Sequence, residues 1–320
     1  MPEATSVIAM RAATFVLVLA LAGCGTASVA PVSSAEWKFA QSMSQRRSYS
    51  ATAEARRHIY VAGGMVGNTG RFLALFQRYS PRTETWATLA PLPEPVRAAS
   101  AAAIAGRLYV TGGQRPSRDG RRVDIYDLRS DAWSRGTPLP EPRFNHATVT
   151  LGGKLYILGG FAHAAERREL FVYDPATGVW AEAAPLPRPS HAFAAVAFRG
   201  EIWTIGGRRG ESTLREVWIF NPRQDRWRVG PALPKPMELL GAAATRDEIH
   251  AVWEATYQVY DARTRRWSSG PPPLVHRHAL AAVAVEGRLY TLGGCRTPEL
   301  IDTQAVEVRD ISAPRSAARA

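Results

Sequence analysis

Residues 152–189 read GGKLYILGGFAHAAERRELFVYDPATGVWAEAAPLPRP, and the fold is decided there. An apolar run, Leu155-Tyr156-Ile157-Leu158, ends on the pair Gly159-Gly160. A second run, Leu170-Phe171-Val172-Tyr173, ends on Asp174, and Trp180 follows six residues later. Gly153 stands six residues before the glycine pair, and Leu186-Pro187-Arg188-Pro189 closes the stretch. Short apolar segments bounded by Gly, Pro and Asp are strands joined by tight turns. Gly153 marks a hairpin between strands a and b, the Tyr-Asp ends strand c, and strand d starts at the Trp. Proline after strand d terminates the ladder at a rim.

The same marks recur outward in both directions. Glycine pairs stand at Gly63-Gly64, Gly112-Gly113, Gly159-Gly160, Gly206-Gly207 and Gly293-Gly294, the first four in steps of 49, 47 and 47 residues. Tryptophans at Trp86, Trp133, Trp180, Trp227 and Trp267 each lie six residues after Ser80, Asp127, Asp174, Asn221 and Asp261. A period near 47 accommodates four strands of five to six residues with their turns. Glycine pair, aromatic-Asp and Trp together resemble the Kelch repeat over nearly the whole chain after the leader. That resemblance implies an all-β, six-bladed propeller of four-stranded antiparallel blades. After Asp310 the next Trp is missing, whereas Trp37 has no strand c before it. The N-terminal segment is therefore expected to supply strand d of the last blade, which removes the open sheet edges.

Composition sets bounds on this reading. Across 320 residues, 46% hydrophobic content supplies a core, and 26 Gly with 23 Pro suit many short strands. Two cysteines, Cys24 and Cys295, exclude a disulfide framework or a cysteine zinc site. Arg11 precedes the apolar run Ala12 to Ala22, too short to span a bilayer and ending at Gly23-Cys24. This is the layout of a secretory signal, and Leu21-Ala22-Gly23-Cys24 resembles the bacterial lipoprotein box. The resemblance implies lipid on Cys24, export, and an anchor in the cell envelope, with Gly25 favouring the outer membrane, periplasmic side. Met10 is the cleaner start. The expected organisation is a signal peptide at 1–23, a flexible linker at 24–35, the propeller at 36–312 and a disordered tail at 313–320. Loss of Glu3 and Arg11 with the signal leaves the formal charge at +12, which favours anionic partners. Export argues against nucleic acid, and a monomer is expected.

Function is expected on the face carrying the d–a and b–c connections, where the loops are longest. The residues leading into strand a are Arg47, Arg97, Arg143, His191, Glu238 and Arg277-His278, one position per blade. Arg115, Arg118, Arg121 and Arg122 in blade two and Arg208 and Arg209 in blade four add to a face expected to be strongly cationic. Convergent guanidinium groups hold carboxylate or phosphate bidentately. The alternative for each arginine is a structural bond to a neighbouring loop carbonyl. Blade five departs from the pattern, with Trp253-Glu254 in place of the glycine pair and Asp247 in place of the hairpin glycine. His276, His278 and His191 lack the acidic or thiol ligands that would complete a metal set, and no cofactor motif occurs. Two functions stay open. One is a binding module for an anionic glycan or an envelope protein. The other is a sugar mutarotase, since an exported six-bladed Kelch propeller resembles the periplasmic N-acetylneuraminate epimerase family. That resemblance implies arginines for the substrate carboxylate and Glu238 for proton transfer.

Lipidation is checked by Cys24→Ala, which should convert membrane-associated protein into soluble or unprocessed precursor; unchanged detergent partitioning would exclude the anchor.

Overall fold

A computed structural model describes residues 36–67, 70–296 and 301–312. The signal peptide, linker with Cys24 and C-terminal tail expected from the sequence lie outside the described residues. Those described form six four-stranded antiparallel sheets and no helix. Strands a to d of blade one are Ala51–Ala55, His58–Ala62, Phe76–Ser80 and Thr85–Thr88. Blade two has Ser100–Ile104, Arg107–Thr111, Val123–Asp127 and Ala132–Arg135. Blade three has Ala147–Leu151, Lys154–Leu158, Leu170–Asp174 and Val179–Ala183. Blade four has Ala194–Phe198, Glu201–Ile205, Val217–Asn221 and Arg226–Val229. Blade five has Gly241–Ala244, Glu248–Trp253, Thr256–Asp261 and Arg266–Gly270.

Blade six takes Ala281–Val285, Arg288–Leu292 and Val306–Asp310 from the C-terminal end and Lys38–Ala40 from the N-terminal end, with Lys38 opposite Val308. Closure by the N-terminal strand therefore holds. Trp37 joins it, buried edge-on against Tyr257 at 5.4 Å, its indole donating to the Pro271 carbonyl of blade five at 3.0 Å. The tryptophans of the other five strands d do the same: Trp86 to Gln41, Trp133 to Ala90, Trp180 to Thr137, Trp227 to Ala184 and Trp267 to Pro231. Each indole reaches the previous blade, and together the six bonds run once around the ring.

Composition follows position. Strands a crowd the axis and are rich in alanine, as in Ser-Ala-Ala-Ala-Ile at 100–104, because the sheets taper there. Strands b are covered by blades on both faces, so they read as continuous apolar runs with four buried residues in succession. Between each pair of neighbouring blades lies an apolar cluster. The one holding Met43, Ile59, Val61, Tyr290 and Leu292 joins blade six to blade one.

The glycine pairs are the contact points between blades. Gly112, at φ +59°, would bring a Cβ to 2.5 Å from the Arg143 carbonyl of the next blade, and Gly113, at +89°, to 2.4 Å from Val96. Only glycine takes both the left-handed backbone and the close approach. In blade five Glu254 replaces the second glycine, with φ +48°, and still donates to Arg277 as Gly64 does to Val96 and Gly294 to Arg47. The blade is shorter because its b–c loop is reduced to a two-residue turn between Trp253 and Thr256, rather than because its outer half is curtailed.

Nearest the axis a second circle closes. Tyr49 N–H donates to Ala279, Ala98 to Tyr49, Asn145 to Ala98, Ala192 to Asn145, Leu239 to Ala192 and Ala279 to Leu239. All six residues have left-handed φ, from 46° to 57°.

Trp37→Ala removes a buried indole and one bond of the outer circle, and should lower unfolding free energy by about 3–5 kcal/mol; chemical denaturation matching the unsubstituted protein would refute this role.

Candidate ligand-binding face

The residues leading into strand a fall into two registers one position apart, and the single-position reading from sequence mixed them. In the first register stand Arg47, Val96, Arg143, Ser190, Met237 and Arg277, whose carbonyls accept the N–H of the second glycine of the preceding blade, or of Glu254. In the second stand Ser48, Arg97, Phe144, His191, Glu238 and His278. Four of these, Ser48, Arg97, Phe144 and His191, form isolated bridges with Met65, Gln114, Phe161 and Arg208, and His278 pairs with Cys295. One residue of slip in extended chain reverses the side on which a side chain lies.

First-register arginines are structural. Arg47, Arg143 and Arg277 have no exposed surface. Arg47 donates to the Gly63 and Leu75 carbonyls, both at 3.2 Å, and to Gln77 Oε1. Arg143 donates to Glu141 at 3.1 Å and Glu169 at 2.9 Å, with its guanidinium over the Phe171 ring. Arg277 donates to the Ala305 carbonyl, Thr291 Oγ1 and Glu307 Oε2 at 2.9, 2.8 and 2.7 Å. Burial pushes all three guanidinium groups down, opposed for the last two by their carboxylate partners. They bind the lead-ins of blades one, three and six to the strands and b–c loops of the same blades, and their burial withholds the guanidinium groups from solvent.

Pairing also dissolves the expected uniform cationic face. Arg115 is buried 2.9 Å from Asp124, and Arg122 contacts Asp124 and Glu94. Arg209 pairs with Glu216 at 2.7 Å and Arg208 with Glu238 at 3.3 Å, while Arg121 donates to the Leu139 carbonyl. Arg97 has no carboxylate partner among the described residues: its Nε donates to Gln114 Oε1 at 2.7 Å, Nη1 contacts Met65 Sδ, and the group lies over Phe72, 5.1 Å from the ring centre. Arg97 and exposed Arg118 look into a cavity of about 430 Å³ set among blades one to three, lined also by Phe72, Phe144, Phe161 and His163. The Phe144 and Phe161 rings lie 5.4 Å apart. This volume falls in the range of small-ligand pockets.

Across the axis, carboxylates stand beside two histidines. His191 Nδ1 lies 3.4 Å from Glu166, and burial pushes the imidazole down, opposed by Glu166 and Glu238. His278 is likewise lowered by burial and opposed by Glu254, Glu238 and Asp302. Trp253 is half-buried against the apolar cluster between blades four and five, its indole N–H unbonded among the described residues. Around the axis a smaller cavity of about 100 Å³ is lined in part by Tyr49, Asn145, His146 and Phe193. His146, bonded to Thr111 Oγ1 at 2.9 Å, is pushed down to about 3 by burial and Arg143, and so stands neutral.

Sequence reading missed Phe72, Phe144, Phe161 and Gln114. The signal was present: the residue after each glycine pair varies from Met65 to Gln114, Phe161, Arg208 and Cys295 while its flanks repeat. A scaffold position that changes its side chain in every copy is a place where loops present chemistry.

Known proteins align with this geometry. The Kelch motif family matches residues 46–93 and 95–140, and the KLHDC2/KLHL20/DRC7 Kelch-repeats domain family matches 134–249. Kelch-like protein 35 of Mus musculus is 44% identical over 66 residues, 21% of this chain and 11% of the relative. Alpha-scruin of Limulus polyphemus is 31% identical over 88 residues, covering 28% and 10%. An F-box/kelch-repeat protein of Arabidopsis thaliana is 31% identical over 121 residues, covering 34% and 32%. The aligned part thus spans about a tenth to a third of these relatives.

Arg277→Ala takes the only charged partner among the described residues from the fully buried Glu307, leaving it the Leu274 and Val275 N–H groups, and should cost about 3–5 kcal/mol, whereas Arg97→Ala should cost about 1 kcal/mol, the scale of one hydrogen bond and a cation–π contact. Equal losses in thermal melts of the two variants would contradict the division into registers.

Proposed function

Because this chain is a Kelch-repeat protein, we propose that it is a non-catalytic binding module, anchored at the cell envelope through Cys24 and holding an anionic glycan or envelope protein on its loop face. The observation that carries this reading is Arg97, a half-buried guanidinium with no acidic partner among the described residues, at the edge of a cavity walled by three phenylalanines. Such a site offers charge-assisted donors to a carboxylate and flat apolar surface to the body that bears it. Arg118, exposed on the b–c loop of blade two, adds a second cation at the rim. The envelope setting rests on Leu21-Ala22-Gly23-Cys24.

Titration calorimetry with acidic glycans and acidic peptides, on protein lacking residues 1–24, tests the reading. The Arg97→Ala/Arg118→Ala variant should bind at least tenfold more weakly, about 1.4 kcal/mol, with an unchanged fold, and wild-type affinity should fall as salt rises. Full binding by that variant would refute the site.

A further inference from the structure

We infer that the loop face takes a zwitterionic ligand, a short peptide with both ends free, whose carboxylate meets Arg97 and whose ammonium meets Glu238 across the channel mouth. This rests on the reading that Arg97 receives a carboxylate, and adds a second pole to it.

Three observations carry it. The first is position. Arg97 leads into blade two and Glu238 into blade five, so in a six-bladed ring they stand on opposite sides of the axis. Arg97 lines the cavity of blades one to three and Glu238 sits beside Arg208 at the entry to blade five, both on the face of the d–a connections.

The second is an unmet bond. Glu238 is largely withdrawn from solvent, with Oε1 3.3 Å from Arg208 Nη1, and its buried Oε2 has no hydrogen-bond partner among the described residues. A buried carboxylate oxygen left without a donor costs free energy and calls for a specific explanation. Blade five explains why the site is open. The other blades carry a b–c loop against this register, such as Arg208–Arg209 with Ser212–Thr213 in blade four, but blade five makes its tight turn after Trp253. Glu238 is thus the one second-register residue without a bridge partner among the described residues.

The third is charge. Glu166 and Glu238 act on His191, and Glu254, Glu238 and Asp302 on His278, while on that side Arg208 pairs with Glu238, Arg209 pairs with Glu216 and Arg296 is exposed on the b–c loop of blade six. That half of the mouth favours a cation, and the half with Arg97 and Arg118 favours an anion. A ligand carrying one charge satisfies one half only. Beside the Arg97 pole lie the phenylalanines of the cavity, which suit an apolar side chain. A tripeptide spans about 10 Å when extended and a tetrapeptide about 13 Å, and probes of both lengths sample the separation of the two poles.

The probes are the peptides Ala-Phe-Ala and Ala-Ala-Phe-Ala in free, N-acetylated and C-amidated forms, titrated into the signal-free protein at pH 7. N-acetylation should weaken wild-type binding at least tenfold and Glu238→Gln binding less than twofold. C-amidation should weaken the wild type at least tenfold and Arg97→Ala less than twofold. This coupling of ligand group to residue is what a structural role would not produce. If acetylation leaves wild-type affinity unchanged while amidation lowers it, or if acidic glycans bind and the free peptides do not, the zwitterion inference falls and the anionic site stands. Indifference to amidation, together with no binding of any acidic ligand, overturns the underlying site itself. Acetylation and amidation are read on the wild-type protein, so the result does not depend on either variant folding.

Discussion

Six peptide groups circle the axis, each N–H held by the carbonyl of the equivalent residue one blade back, and the circle closes from Tyr49 to Ala279. The geometry demands a left-handed backbone at Tyr49, Ala98, Asn145, Ala192, Leu239 and Ala279, where each non-glycine residue costs about 1–2 kcal/mol. A single blade gains nothing that offsets this. Six blades do, because every strained residue is both donor and acceptor and no N–H or carbonyl of the circle is left over. Alanine-rich inner strands and glycine pairs follow from the same closeness: chains brought this near the axis have no room for larger side chains or for a Cβ facing a neighbour's carbonyl.

The ring constraint also arranges the loop face. With the inner peptide fixed in a left-handed turn, the two residues before it are committed to opposite roles. One passes its carbonyl to a glycine and buries its side chain, and the other is held beside the b–c loop. Function can therefore change at the second position without disturbing the first. Arg47, Arg143 and Arg277 belong to the fabric of the fold, while Arg97, His191 and Glu238 are free to differ.

Much of this is legible in the amino-acid order alone. The glycine pairs, the aromatic-Asp and the Trp determine blade number, strand order and the closing N-terminal strand, because each mark is tied to a backbone demand that every blade repeats. The site is less legible for two reasons. Ten residues after Trp86, Trp133, Trp180 and Trp227 come Val96, Arg143, Ser190 and Met237, so strict counting separates the registers; following charge from blade to blade slips to Arg97, His191 and Glu238. Pairing is the second reason. Arg115 is neutralised by Asp124 and Arg122 by Glu94, partners that come from another strand or loop, and net charge does not say which cations remain without an acid. The phenylalanine cavity is hidden because Phe72, Phe144 and Phe161 come from separate segments that only the ring brings together.

Strand d of blade six has a consequence for how the molecule comes to exist. Lys38 pairs with Val308, so nearly the whole described chain lies between the two halves of one sheet. Blades one to five are each built from a contiguous segment and can assemble as their residues emerge, but the clasp waits for Asp310. Contacts this distant in sequence form slowly, since the closure entropy precedes any reward. During that wait strand c at Val306–Asp310 is an edge open to other chains. Once shut, the same clasp turns five locally assembled blades into one cooperative unit, and its release is the natural first step of unfolding. Three residues, Lys38–Ala40, at the outer edge of blade six, then hold the ring closed.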